Sequence, residues 1–319
     1  MSASIVHKIA TQVRETAADT AWAQWSVLTS AAVDARARHP WSTVDPEALV
    51  LVSLAIRRHE RRLNDIVMGI ARSGTRLLSV QRMSTVVETY SATAQKGFHE
   101  FSWAAAEAGD QRWAPHAERP APEEQPVRPK RVGPLRLMDG PGLMLRLRTG
   151  LGVGIRADVL AYLLGMHGAA VPLKVIALAT GYTARGIRKA AEEMAVGGFV
   201  QQTDDSPVAF SADHRAWASV LGLNESRSGS RAGVPPWRYW SLVYGFMVAV
   251  DEWGASAEGA NWSDYVASSR ARDLVQDHAP RLKLARIDLP DPALATGAAY
   301  LEDFARAVAR LPAWCQKNL

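Results

Sequence analysis

Three basic side chains near the middle of the chain have the spacing of one helical face. Arg185 is followed by Arg188 and Lys189, three and four residues later. Residues at these separations are neighbours on a helix surface. An arginine on such a face can donate two parallel hydrogen bonds to O6 and N7 of guanine. The pattern therefore predicts contacts with the base edges and phosphates of double-stranded DNA.

The segments around these residues predict three helices and a tight turn. We expect a first helix over residues 156–167, a second over 173–179 and a third over 184–195. Gly181 in the turn can adopt a positive φ, and Thr183 is a good N-cap residue for the third helix. One apolar stripe of the third helix has the i, i+3, i+4, i+7 spacing of a buried face. Its members are Ile187, Ala190, Ala191 and Met194.

The residues after the third helix predict a small β-hairpin. Residues 199–202 have the pattern of a strand, 203–207 of a turn and 208–210 of a returning strand. Asp204 and Asp205 in the turn would repel phosphate, so we expect a short hairpin with a small role in binding. The order helix, helix, turn, helix, strand, turn, strand is that of a winged helix-turn-helix.

The stretch from Ile176 to Val200 resembles the winged helix-turn-helix regulators of bacteria. It contains Ala-Thr-Gly-Tyr-Thr-Ala-Arg-Gly-Ile-Arg-Lys and a closing Gly-Gly-Phe-Val. The resemblance implies that the second helix supports the third, which enters the major groove, and that the hairpin is the wing. The matching region, 155–211, is about a fifth of the 319 residues. The flanking regions are similar to large Ala- and Arg-rich actinobacterial regulators or antitoxin-like proteins, without a motif that fixes a family.

Candidate DNA contacts fall into two groups. Recognition is expected from Arg185, Arg188 and Lys189. Phosphate contacts are expected from Tyr182, Thr183 and Arg156 and from a basic arm of Arg128, Lys130, Arg131, Arg146 and Arg148. Residues 128–189 hold eleven Lys and Arg against two acids, 11 − 2 = +9, whereas the whole chain is +5 and the remainder is 5 − 9 = −4. This concentration of positive charge is typical of a phosphate-binding module.

The predicted fold class is mainly α, in three domains. In chain order, the predicted segments are a helical N-terminal domain (1–113), a Pro-rich linker (114–134), a winged helix-turn-helix domain with the basic arm (135–211), a flexible loop (212–235) and a helical C-terminal domain (236–319). Within the arm, Leu143, Leu145 and Leu147 alternate with longer polar and sulfur-containing side chains, which predicts a short strand or extended arm. The eleven tryptophans lie beside Leu and Val at helical spacing, so we expect them in the core.

Composition and the N-terminus indicate a cytoplasmic protein with no membrane segment. The chain is 48% hydrophobic and 22% charged and has one cysteine, Cys315, which excludes an intramolecular disulfide. The first residues lack a charged segment followed by an apolar one, and the longest apolar run, 240–250, is shorter than the ~20 residues of a membrane helix.

No motif indicates catalysis, a metal or a cofactor. The eight histidines are scattered without metal-ligand spacing, and no Gly-x-Ser-x-Gly elbow is present. We therefore expect a non-enzymatic, sequence-specific transcription regulator, for instance a repressor, that binds a palindromic DNA site as a homodimer. The alternative is a winged helix that binds a protein, as in an antitoxin or a defence-system subunit. A plain three-helix structural unit and an enzyme site in the flanking helices also remain open.

Overall fold

A computed structural model describes residues 2–29, 40–121, 133, 135–204, 206–224 and 232–319. This part of the chain is mainly helical, as predicted, with fourteen α-helices and three short strands. Within it, no helix combines the length and the apolar character needed to span a bilayer. The predicted contacts Arg128, Lys130 and Arg131 lie outside the described residues, as do most of the Pro-rich stretch and residues 225–231 of the second loop.

Five helices form the N-terminal part: α1 (Ser2–Leu28), α2 (Pro46–Ile56), α3 (Arg61–Ser73), α4 (Val80–Val87) and α5 (Ala92–Glu107). The α2 helix begins as its sequence predicts, because Asp45 accepts a hydrogen bond from the Ala48 amide at 3.1 Å and Pro46 occupies the first turn. All of α2 is buried, since α1, α3, α5 and a C-terminal helix surround it. The carboxylate of Glu47 is therefore carried into the interior.

Residues 143–148 are helical, which corrects the predicted strand or arm. They belong to α6 (Leu143–Leu151), which packs on α7 (Ile155–Gly165). The alternating leucines are compatible with a helix because α6 is buried over most of its circumference, including Leu145 and Leu147. A short apolar run cannot separate a buried helix from a strand by period alone.

Residues 155–211, here called the middle unit, follow the predicted order with one addition. After α7 come β1 (Val171–Pro172), α8 (Leu173–Thr180), α9 (Ala184–Val196), β2 (Gln201–Gln202) and β3 (Ala209–Ser211). The strand β1 was not predicted, and it completes an antiparallel sheet of order β1-β3-β2. Phe210 of β3 lies opposite Val171 of β1 and Gln202 of β2.

The C-terminal helices pack against the N-terminal ones, although the sequence predicted separate domains. They follow α10 (His214–Val220) and are α11 (Trp240–Gly259), α12 (Asp264–Leu282), α13 (Gly297–Val308) and α14 (Leu311–Asn318). The α11 helix lies along both α1 and α2, and one hydrophobic core includes residues of the N-terminal helices, the middle unit and the C-terminal helices. We call α1–α5 with α11–α14 the helical body.

The tryptophans lie in this core or at its edge, as expected. All eleven are in the described part of the chain, and none is classed as exposed. Trp240 donates its indole N–H to Ser42 Oγ at 3.0 Å, and Trp25 donates to Ser53 Oγ at 3.0 Å. These bonds satisfy the polar edges of two buried rings, so Trp240 and Trp25 contribute both apolar packing and hydrogen bonds to the helical body.

Candidate nucleic-acid interface

The α9 helix has one buried side and one cationic side. Its apolar stripe, which includes Ile187 and Ala191, is buried against α7 and α8. Arg185, Arg188 and Lys189 are all exposed on the surface of the same helix, and we call them the cationic face of α9. The structure thus brings the three predicted recognition residues together on a free surface.

The start of α9 has the geometry that its sequence predicts. Gly181 adopts φ +74°, in the left-handed region that favours glycine. Thr183 is the N-cap, and its hydroxyl accepts a hydrogen bond from the Gly186 amide at 3.2 Å. Thr183 is itself exposed. The first turn of α9 therefore presents a hydroxyl and the positive end of the helix dipole to solvent, which is a favourable site for a phosphate.

Tyr182 is buried and is not available to DNA, which corrects its predicted role. Its hydroxyl donates to Asp158 Oδ2 at 2.8 Å and lies 3.2 Å from Ser79 Oγ. Burial, with the Asp158 carboxylate beside it, raises the pKa of the Tyr182 hydroxyl. The ring faces inward because the turn before α9 packs on α4, where a Cβ added at Gly181 would lie 2.7 Å from Val86.

Arg148 is also buried, so the predicted phosphate contact through this residue is wrong. Its side chain is 0% exposed and forms ion pairs with Glu47 at 2.6 Å and with Asp158 at 2.7 Å. Its guanidinium also donates to the backbone oxygen of Leu77 at 2.8 Å. Burial opposes the charge of Arg148, but Asp158 and Glu47 outweigh this effect and raise its pKa.

Arg82 completes this arrangement from α4. It forms buried ion pairs with Asp45 at 2.5 Å and with Glu47 at 2.6 Å. Its Nε donates to the backbone oxygen of Thr180, at the end of α8, at 2.6 Å. Arg82 therefore joins the helical body directly to the turn before α9.

Together, two arginines and three carboxylates form what we call the buried ion cluster. Its members are Asp45, Glu47, Arg82, Arg148 and Asp158. Their formal charge is 2 − 3 = −1, and the hydroxyls of Tyr182 and Ser79 hydrogen-bond to its edge. Burial opposes ionisation of Glu47, but Arg148 and Arg82 outweigh it and lower its pKa to about 2. Glu47, Arg82 and Arg148 are therefore charged at neutral pH.

The sequence contained little signal for this cluster. Asp45 and Glu47 occupy cap and first-turn positions, which explained both residues locally. Their partners Arg82 and Arg148 are 35 and 101 residues away from Glu47. Only the tertiary packing of α2, α4, α6 and α7 brings these groups together.

The other predicted contacts are distributed around the middle unit. Arg156 is exposed on α7 and forms an ion pair with Glu193 of α9. Arg146 is half-buried on α6. Lys174, which sequence reasoning counted only as charge, is exposed in the first turn of α8.

The hairpin after α9 is short. The Thr203 amide donates to the Ala209 backbone oxygen at 2.9 Å, and the Ala209 amide donates to Thr203 Oγ1 at 3.0 Å. Asp204 at its tip is exposed, and Asp205 lies outside the described residues. The hairpin thus offers a small surface with an acid at its tip.

Two features bear on chemistry in the described ranges: metal-binding clusters and the single thiol. No cluster of three or more His, Cys, Asp or Glu side chains there could hold a metal ion. Cys315 is buried, and this burial raises the pKa of its thiol to about 12. A hydrogen bond with Thr20 has the opposite, smaller effect on this pKa. The thiol is therefore protonated at neutral pH and is a poor nucleophile.

No family model matches the sequence, and neither a curated protein nor a solved structure gives a match.

Proposed function

We propose that the chain is a sequence-specific DNA-binding transcription regulator, in which the middle unit is a winged helix-turn-helix and α9 enters the major groove. The observation that carries this proposal is the cationic face of α9, whose three side chains are exposed while the opposite stripe is buried. The order of helices around a tight turn, followed by a hairpin paired with β1, supports the same assignment.

The distribution of charge along α9 orients the helix on DNA. Its first half holds Arg185, Arg188 and Lys189, whereas Glu192 and Glu193 follow in the second half. The N-terminal half therefore faces the base edges and the acidic half turns away. The pair between Arg188 and Glu192 is exposed and 3.9 Å long, and such surface pairs contribute only about 0–1 kcal/mol. It does not prevent Arg188 from reaching DNA.

The structure revises the proposed division of roles. Arg185 reads a guanine, and Arg188 and Lys189 contact bases or adjacent phosphates. Thr183 and Lys174 hold phosphates at the starts of α9 and α8. Tyr182 and Arg148 are removed from the contact set because both are buried.

A homodimer with two-fold symmetry would place two α9 helices in successive major grooves. Half-sites of a palindrome would then lie about 34 Å apart, one turn of DNA. The function proposed is binding, with no catalytic step assigned to the chain.

The test is fluorescence anisotropy with a duplex from upstream of the gene and a scrambled duplex of the same composition. The variant Arg185→Ala/Arg188→Ala/Lys189→Ala should lose selective binding. The matched control is Arg270→Ala/Arg281→Ala/Lys283→Ala, because these three cations are also exposed but lie on and after α12. Both variants remove three positive charges, so net charge alone cannot produce a difference between them.

Selective binding that only the α9 variant loses would support the proposal. Equal loss in both variants would indicate non-specific attraction, and no binding at low salt would contradict a DNA-binding role. For the single variant Arg185→Ala, we expect a cost of about 1–3 kcal/mol and relaxed choice at one base pair.

A protein-binding role is the second candidate, and exposed apolar side chains favour it. Val196, Phe199 and Val220 are 92%, 43% and 77% exposed at the end of α9 and on α10. The Phe199 ring lies 6.0 Å from that of Trp217, which is on α10 with Val220. The variant Phe199→Ser/Val220→Ser should abolish binding of a protein partner, or dimerisation, while leaving the cationic face of α9 unchanged. Size-exclusion chromatography with light scattering, together with the DNA assay, separates these two functions.

A further inference from the structure

A cationic cleft lies in the helical body, away from the cationic face of α9. It is an open cavity of about 510 Å³ between the ends of α3 and α5 and the 3₁₀ turn Thr75–Leu77. Three arginines line it, Arg72, Arg76 and Arg112, against one acid, Asp110. Its formal charge is therefore 3 − 1 = +2.

The negative charge of Asp110 is already balanced by an ion pair with Arg112. Arg112 donates to both oxygens of Asp110, at 2.9 and 2.6 Å, and Thr75 Oγ1 donates to the same carboxylate at 2.8 Å. The hydrogen bond from Arg112 is the main cause that lowers the pKa of Asp110 to about 2. Arg72 and Arg76 are both exposed, and within the described residues no carboxylate lies within ion-pairing distance of either. These two arginines are the groups left to bind an anion.

Helix capping explains only part of this charge. Arg72 is in the last turn of α3, where a cation is favoured by the helix dipole. Arg76 lies beyond the end of that helix. The last carbonyls of α5 already accept backbone bonds, for example Ala104 O from the Ala108 amide at 3.1 Å. The second arginine is therefore not needed to complete either helix end.

An apolar cavity adjoins the cationic one. It has a volume of about 470 Å³, and its lining combines four aliphatic side chains, Ile70, Leu77, Leu135 and Leu137, with two glycines and the polar residues Ser73, Arg76 and Thr149. Ser73 and Arg76 line both cavities, so the cationic and apolar walls meet along this pair. A ligand with one charged end and one apolar end matches such a surface, since small-molecule sites combine apolar walls with a few fixed polar groups.

We propose that this double cleft binds a small molecule with an anionic head group and an aliphatic tail. The head group would accept hydrogen bonds from Arg72 and Arg76. The tail would lie against Leu77, Leu135 and Leu137. The site does not depend on whether the chain binds DNA.

The cleft is connected to the turn before α9 through residues 75–79. On the cleft side, Arg112 donates to the Thr75 backbone oxygen at 3.0 Å. Two residues later, the Leu77 oxygen accepts from Arg148 of the buried ion cluster, and Ser79 Oγ contacts the Tyr182 hydroxyl. A ligand that shifts residues 75–79 would therefore alter the position or mobility of the turn before α9. If the proposed function holds, the ligand is an effector of DNA binding.

Isothermal titration calorimetry on the full chain tests the site, with hexyl phosphate as the probe and inorganic phosphate as the head group alone. We expect saturable 1:1 binding of hexyl phosphate, with an affinity at least tenfold lower in Arg72→Ala/Arg76→Ala. The matched control, Arg58→Ala/Arg61→Ala, removes two exposed arginines at the other end of α3 and should bind as the unmodified chain does. Inorganic phosphate should bind at least tenfold more weakly than hexyl phosphate.

Absence of saturable binding, or equal loss in the two double variants, would overturn the site. Equal affinity for hexyl phosphate and phosphate would overturn the role of the apolar cavity. Hydrogen exchange tests the connection without any DNA. Bound hexyl phosphate should change the exchange of amides 180–183 by at least twofold, and unchanged exchange there would refute the connection. These outcomes remain distinct from a failure of DNA binding, because neither measurement contains DNA.

Discussion

Replacement of Arg148 by methionine tests the interpretation of the buried ion cluster. Methionine fills much of the same space but removes the ion pairs to Glu47 and Asp158 and the hydrogen bond to Leu77 O. The formal charge of the cluster changes from 2 − 3 = −1 to 1 − 3 = −2. Two carboxylates are left buried with fewer partners, and breaking one side of such a buried pair costs about 3–5 kcal/mol.

A loss of this size is a large share of the stability of an ordinary protein, which is about 5–15 kcal/mol. Urea unfolding followed by far-ultraviolet circular dichroism at pH 7 measures it, since the chain is mainly helical. The matched control is Arg156→Met. Arg156 also pairs with a glutamate, but its side chain is 63% exposed. Because water screens an exposed pair, we expect Arg156→Met to destabilise the chain far less than Arg148→Met.

A second variant keeps the interpretation testable if Arg148→Met is too unstable to measure. In Arg148→Met/Asp158→Asn, one of the two orphaned charges is removed. We therefore expect the double variant to be less destabilised than the sum of the two single changes, because the two residues are in contact. If Arg148→Met destabilises the chain no more than Arg156→Met does, Arg148 is solvated rather than buried, and our account of the cluster is refuted.

Three further predictions concern acid stability, helix packing and the thiol. The folded pKa of Glu47 is about 2 against an ordinary 4.5, so its stabilisation is present above pH 4.5 and is lost as pH falls toward 2. This stabilisation amounts to about 3 kcal/mol. In urea unfolding between pH 5 and 3, the free energy of unfolding of Glu47→Gln should therefore depend less steeply on pH than that of the unmodified chain. An equally steep dependence in the variant would contradict this role of Glu47. Gly254→Ala should destabilise the chain by about 1–3 kcal/mol, because its Cβ would lie 2.2 Å from that of Ala10. The control Gly259→Ala, with no atom within 4 Å, should be neutral or stabilising in thermal unfolding; equal effects would argue against packing of α11 on α1. Cys315 should resist iodoacetamide at pH 7 until the chain is unfolded by urea, and rapid labelling of the folded chain would show that the thiol is accessible.

The parts of the fold that were predicted correctly depend on local chemistry. The turn Thr180–Thr183 contains a glycine suited to a positive φ and a threonine suited to an N-cap, and both functions are fulfilled within a few residues. The stripe of α9 likewise follows from helical period alone. Such signals need no knowledge of distant segments. For this reason the residues of the cationic face of α9 could be predicted from the sequence.

The parts that were missed depend on partners far along the chain. Arg146 and Arg148 are equivalent in type and nearly adjacent, yet one is half-buried and the other is enclosed among carboxylates. Their environments differ because α6 turns by about 200° over two residues, which puts the two side chains on nearly opposite sides of the helix. A strand, as predicted, would have placed both on the same side. The two-residue strand β1 was missed for the same reason, since it exists only through its pairing with β3.

The location of the buried ion cluster bears on what the helical body does for α9. Buried ion pairs are often no more stabilising than apolar side chains of similar volume, so stability alone does not account for five charged groups here. Their hydrogen bonds are directional, however, and Arg82 holds the Thr180 oxygen while Asp158 holds the Tyr182 hydroxyl. A recognition helix reads DNA only if its orientation is fixed by such supporting contacts. We infer that the cluster sets the orientation of α9. If α9 binds DNA as proposed, the salt dependence of DNA affinity in Arg148→Met tests this. A lost phosphate contact would reduce the slope of log affinity against log salt by about 0.9, whereas a lost orientation lowers affinity for the selected sequence and leaves the slope unchanged.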